Sequence, residues 1–266
     1  MSIALEHVNY IYSPGTAYEK RALNDISLEI GQGQFVGIIG HTGSGKSTLI
    51  QHLNGLMKAT SGDILYDGQS IYAEGYDMRK LRSQVGLVFQ YPEHQLFEVD
   101  VISDVCFGPK NQGLSEEESE KNAREALELV GFPEKYYKQS PFELSGGQKR
   151  RVAIAGVMAM QPECIIFDEP TAMLDPVGRN EVIDTLHSLN EEKGITIILI
   201  THHMNEAIKA DRVFVMDKGK LVMQGNPKEV FSHVEKLKSL GLEVPQVTEL
   251  AYMLKKSGLN IEDGIL

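Results

Sequence analysis

The chain has 266 residues, of which 42% are hydrophobic and 24% charged, an ordinary globular usage that suggests one or two domains. Lys and Arg number 26 against 37 Asp and Glu, a formal net charge of −11. That balance argues against nucleic-acid partners and against a polybasic hold on anionic lipid. Two cysteines, Cys106 and Cys164, are too few for a disulfide framework or zinc cluster. No apolar run approaches the ~20 residues that span a bilayer, and the polar N-terminal residues lack the apolar core of a signal peptide. The expectation is a soluble intracellular chain with no direct lipid insertion.

In chain order, residues 35–39 read as a strand buried on both faces. Gly40-His41-Thr42-Gly43-Ser44-Gly45-Lys46-Ser47 follows and matches G-x-x-x-x-G-K-[ST] in full, opening a helix through Leu53 with Thr48 in its first turn. Such a loop wraps a phosphate in backbone N–H groups, aided by the positive helix N-terminus. Lys46 then meets the β- and γ-phosphates, and the Ser47 hydroxyl ligates Mg²⁺. Ile64-Leu65-Tyr66-Asp67-Gly68 reads as a strand entering a tight hairpin, and Asp217-Lys218-Gly219-Lys220 repeats that signal. Residues 85–89, 164–167, 196–200 and 213–216 are further short apolar strands. Together these predict an α/β mixed sheet with an antiparallel flank.

Between residues 91 and 160 helical patterns dominate. Ser115-Glu116-Glu117-Glu118 is a capping box, and Gly131-Phe132-Pro133 stops the helix behind it. Ser145 caps a second helix, along which Val152, Ala155 and Ala159 share a face. Residues 164–167 deliver Asp168 and Glu169 to the C-terminal end of a strand, where open α/β sheets bind ligands. Asp168 is placed to hold Mg²⁺ and Glu169 to polarise the attacking water. Near the end of the chain, Val230, Val234 and Leu237 suggest one amphipathic helix, and Val247, Leu250, Ala251 and Leu254 another. Both are expected to dock on the core, or to form a dimer contact.

Leu144-Ser145-Gly146-Gly147-Gln148, standing between the phosphate loop and Asp168-Glu169, gives the chain its family resemblance. Over residues 1 to about 225 it resembles the ATP-binding cassette (ABC) ATPases. The resemblance implies a P-loop NTPase (RecA-like) fold, ATP and Mg²⁺ as cofactors, and head-to-tail pairing in which Ser145–Gln148 cover ATP held by the partner's loop. It implies roles residue by residue. Gln90 contacts Mg²⁺ and water, and His202 contacts the γ-phosphate. Asp175, in Ala172-Met173-Leu174-Asp175, communicates across the dimer. Tyr12, or alternatively Tyr10, stacks on adenine.

Tyr91-Pro92-Glu93-His94-Gln95-Leu96-Phe97, Phe107-Gly108-Pro109 and the run 148–156 are similar to the ATPases of energy-coupling factor (ECF) transporters. The stretch Tyr12-Ser13-Pro14-Gly15-Thr16 is similar to one of their two isoforms. The implied partners are a second ABC ATPase (the other isoform or the same chain), a transmembrane coupling protein and a substrate-binding membrane subunit. The implied location is the cytoplasmic face of the cell membrane. The expected organisation is a nucleotide-binding core at 1–90 and 161–226, an inserted helical subdomain at 91–160 and a helical extension at 227–266. The basic run Lys149-Arg150-Arg151 is expected on a helix surface or at a subunit contact. Another class of ABC transporter, a non-transport ABC ATPase and an ATP-sensing module are the alternatives. Intact Glu169 and His202 count against the last.

Overall fold

The computed structural model describes residues 1–261 and 264–266, with the main chain alone at residue 93. Glu262 and Asp263 of the expected extension lie outside the described residues. The chain divides into two compact units, one of Met1–Tyr76 with Ile198–Leu266, the other of Asp77–Ile197. The first unit opens with β1 (Ile3–Tyr12), β2 (Lys20–Ile30), β3 (Phe35–Ile39), α1 (Lys46–Leu53), β4 (Ser61–Tyr66) and β5 (Gln69–Ser70). The second holds α2 (Met78–Gln84), β6 (Val85–Val88), α3 (Val101–Asn111), α4 (Glu116–Leu129), α5 (Gly146–Met158), β7 (Cys164–Asp168) and α6 (Pro176–Lys193). The chain returns along β8 (Thr196–Ile200) to α7 (Met204–Ala207), β9 (Arg212–Asp217), β10 (Lys220–Gly225), α8 (Pro227–Ser232), α9 (Val234–Ser239) and α10 (Gln246–Lys256).

In the first unit β2-β1-β4-β5 form the antiparallel flank. Ile3, Leu5 and Val8 of β1 are buried, and Ile3 pairs with Ile30 and Leu5 with Leu28. β3 is buried along its whole length and pairs in parallel with β9, Val36 opposite Arg212 and Ile39 opposite Val215. β9 turns back into antiparallel β10 through Lys218 and Gly219, both at positive φ. The same device joins β4 to β5 at Asp67-Gly68, as a two-residue hairpin turn requires.

In the second unit β6 and β7 pair in parallel, Val85 opposite Cys164 and Val88 opposite Phe167. A Cβ on Gly86 would come 2.3 Å from the Val157 side chain, so glycine is what lets α5 lie on β6. Ser115 caps α4 and Ser145 caps α5, each in a complete capping box with Glu118 and Gln148 respectively. The second box adds Gln148 to a motif read only for Ser145 in the sequence.

Two expectations are corrected, and one helix lies where none was expected. α2 has no counterpart in the sequence reading; its signal is Asp77, whose side chain accepts from the Arg79 and Lys80 amides. Val230, Val234 and Leu237 are all buried but on two helices. The chain breaks at His233 (φ −82°, ψ 51°), where the Ser232 hydroxyl donates to the Glu229 carbonyl and competes with helical bonding. On α10, Val247 and Leu250 are exposed. The buried residue is Thr248, whose hydroxyl donates to the Ile265 carbonyl. No helix among the described residues is long and apolar enough to cross a membrane.

Candidate nucleotide site

In the first unit the phosphate loop joins β3 to α1, and its shape is set by glycines. Gly45 has φ 105°, and a Cβ there would lie 2.6 Å from the Ala22 carbonyl oxygen. A Cβ on Gly40 would lie 2.4 Å from the Met216 carbonyl oxygen. Gly45→Ala therefore combines backbone strain with a main-chain clash. We expect loss of ATP binding and about 2 kcal/mol or more of destabilisation, measured by nucleotide titration and thermal unfolding. No side chain caps α1, unlike α4, α5 and α6, so its first amides are not committed to a cap.

The β9–β10 turn backs the loop: Gly219 N–H donates to Ser44 O at 2.8 Å, and Asn24 N–H to Gly219 O at 2.8 Å. His41 spans from the Thr42 carbonyl (Nδ1, 2.8 Å) to the Asp217 carboxylate (Nε2, 2.7 Å). Lys46 is buried, and its ammonium donates to the carbonyls of Gly40 (2.6 Å) and His41 (3.1 Å). Ser47 is exposed. Thr48 Oγ1 lies 3.2 Å from the Tyr12 hydroxyl, which brings that ring to the loop's own helix. Tyr10 instead makes an edge contact with His52, whose imidazole is pushed below its ordinary value by burial against the bond to the Thr48 carbonyl. His202 is exposed after β8. Its turn is clamped by Thr201, which donates to Glu206 at 2.5 Å and accepts from His203 N–H at 2.9 Å.

In the second unit β7 delivers Asp168 and Glu169, both half-buried. Glu169 holds φ 50°, a left-handed conformation that costs a non-glycine residue about 1–2 kcal/mol. Gln90, two residues past the end of β6, donates from Nε2 to Glu169 Oε2 at 3.0 Å. Two groups read separately in the sequence thus meet. Asp175 is exposed and caps α6, accepting from Gly178 N–H at 2.7 Å. Ser145, Gly146 and Gly147 are exposed at the start of α5. Of the basic run, Arg150 is buried rather than on a surface, donating to the Ala172 carbonyl at 3.1 Å. Arg151 pairs with Glu181.

Sequence reasoning missed Asp217, Thr201, Glu206 and Arg150. Asp217 lies 176 positions from His41, and its local signal is that of a hairpin turn, which does not point to the phosphate loop. Arg150 does carry one, since it stands four residues before Ile154 and seven before Val157 on the buried stripe of α5.

A strand, a G-x-x-x-x-G-K-S loop and an uncapped helix, with a strand ending in Asp-Glu and a glycine-led helix elsewhere in the chain, define a P-loop nucleoside-triphosphatase. Residues 23–172 match the ABC transporter family. The chain is 53% identical over its whole length to the energy-coupling factor transporter ATP-binding protein EcfA2 of Clostridium tetani, covering 93% of that protein. It is 52% identical over 99% of its length to EcfA1 of Caldanaerobacter subterraneus, covering 95% of it. Among solved structures, CbiO1 of Clostridium perfringens, part of the ABC transporter complex CbiONQ, superposes with a TM-score of 0.79 at 42% identity over 95% of this chain and 98% of that one. The ABC cassette MJ0796, in a dimer bound to ADP and Pi, gives 0.76 at 31% identity over 85% and 98%. The chain belongs to the ABC transporter family of ATPases, among the ATP-binding proteins of energy-coupling factor transporters.

Proposed function

We propose that the chain hydrolyses ATP as one of two cassettes beneath a membrane coupling protein, which carries a separate substrate-binding subunit and imports vitamins or transition-metal ions. The observation that carries the reading is the start of α5. Cβ atoms built on Gly146 and Gly147 would meet nothing within 4 Å, so this chain's own packing does not require glycine at either position. Two exposed glycines on a helix N-terminus suit an anion approaching from outside. That anion is the nucleotide phosphate held by a second cassette, either the other isoform or a copy of this chain. The neighbours described as a dimer and as part of a complex support such pairing.

On ATP, the amides of residues 40–48 cradle the phosphates, Lys46 and His202 meet developing charge on the γ-phosphoryl, and Tyr12 stacks on adenine. Glu169, held by Gln90, orients the attacking water and takes its proton. Ser47, Asp168 and Gln90 offer the oxygen donors that Mg²⁺ prefers. An ion carried on phosphates needs only one or two protein ligands. Bound there, Mg²⁺ would neutralise charge on the phosphate oxygens. Asp175 joins the contact between cassettes.

A groove of about 1010 Å³ in the second unit is lined by Phe97, Phe107, Leu96, Arg79, Arg82 and Asp104, among others. Phe97 and Phe107 meet edge-to-face at 4.8 Å and are both exposed. Apolar anchors with basic neighbours suit an amphipathic segment of the coupling protein, which would hold the chain at the cytoplasmic face of the membrane. In a detergent extract, tagged wild type is expected to retain integral membrane proteins. The Phe97→Asp/Phe107→Asp variant is expected to lose them while binding ATP normally. Retention by the variant would sink the groove assignment.

A further inference from the structure

Arg150 is charged and 3% exposed, on the face of α5 that carries Ile154 and Val157. A guanidinium in such a place is costly unless its donors are met. Nη1 donates to the Ala172 carbonyl at 3.1 Å, and Nη2 to the Gln90 carbonyl at 3.5 Å. Both acceptors belong to segments that carry the chemistry. The Gln90 side chain holds Glu169 at 3.0 Å. Ala172 lies between Glu169 and Met173, two residues at positive φ (50° and 62°), in a turn that depends on its surroundings to persist.

We propose that Arg150 is a positioning residue: through its fork, the helix that presents Ser145–Gln148 holds Gln90 and Glu169 in the geometry that hydrolysis needs. The surface offered to the partner cassette and the groups that activate water become one mechanical piece, so engagement of the first is felt at the second. A planar guanidinium bridges two carbonyls at fixed spacing, whereas lysine is a single point charge on a flexible stem. The inference rests on the reading of Glu169 as the base.

The test compares Arg150→Gln and Arg150→Lys with wild type, each in its membrane complex. Arg150→Gln is expected to lower kcat about 10- to 100-fold, the scale of a misplacement near 1 Å, while KM for ATP moves less than about threefold. Arg150→Lys falls between the two. A kcat within about twofold of wild type in both variants overturns the proposal. So does a parallel loss of ATP binding and thermal stability in both, which marks Arg150 as a fold residue only. Glu169→Gln, assayed alongside, keeps the readings apart. If it hydrolyses ATP normally, the assignment of the base fails. If it is inactive while the Arg150 variants turn over normally, only the Arg150 proposal fails.

Discussion

Glu169→Gln is expected to lower the rate of phosphate release about 10²- to 10⁴-fold, the usual contribution of a positioned general base, while ATP still binds. The amide has the size of the carboxylate and keeps an oxygen toward Gln90 Nε2, so the bond now 3.0 Å long and the left-handed turn at φ 50° both survive. What disappears is the negative charge and the proton acceptor. Binding draws on the phosphate loop, which the substitution leaves intact. Paired cassettes therefore accumulate with ATP bound. Phosphate release and the mass of the ATP-bound species by light scattering read the two halves of this expectation separately.

Lys46→Ala is expected to act on the other term. Lys46 is buried, and the carbonyls of Gly40 and His41 hold its ammonium inside the loop, so the charge is in place before a phosphate arrives. A hydrogen bond to a charged group contributes about 1.5–3 kcal/mol, which converts to a roughly 10- to 150-fold weakening of ATP affinity. On the proposed role of the same ammonium at the γ-phosphoryl, kcat is expected to fall as well. Nucleotide titration without Mg²⁺ measures the first effect and steady-state hydrolysis the second. Wild-type affinity in the variant would remove Lys46 from the site.

Much of this arrangement is legible in the sequence because it rests on local rules. A buried strand ending in glycine, a glycine-rich loop and Lys-Ser specify the phosphate loop within fifteen or so residues, and an apolar strand followed by Asp-Glu specifies the carboxylates. Ser115 and Ser145 announce their helices through capping chemistry, and the Asp67-Gly68 and Lys218-Gly219 turns through the positive φ they demand. The remainder depends on tertiary placement. Asp217 reaches His41 only because β9 pairs in parallel with β3, a choice no window of sequence contains. The Thr201–Glu206 clamp looks like ordinary helix-start polarity until both side chains prove buried. Arg150 was obscured by its neighbours: in a run of three basic residues, composition suggests a solvated face, while period-3.6 counting puts the middle one inward. Val247 and Leu250 err in the opposite sense, apolar at helical spacing yet exposed, since the chain end packs on Thr248 instead.

The acidic total of −11 also reads differently once the site is assembled. A negative chain can bind a polyanion where Lys46 and the N-terminus of α1 concentrate positive potential within the phosphate loop.

The most direct test of the central claim is phosphate release by the assembly captured from membranes through a tag on this chain, set against the free chain. Integral membrane proteins are expected to elute with it, and the assembly to hydrolyse ATP several-fold faster than the free chain. Elution without any membrane protein, or hydrolysis indifferent to the membrane proteins' presence, would contradict that claim.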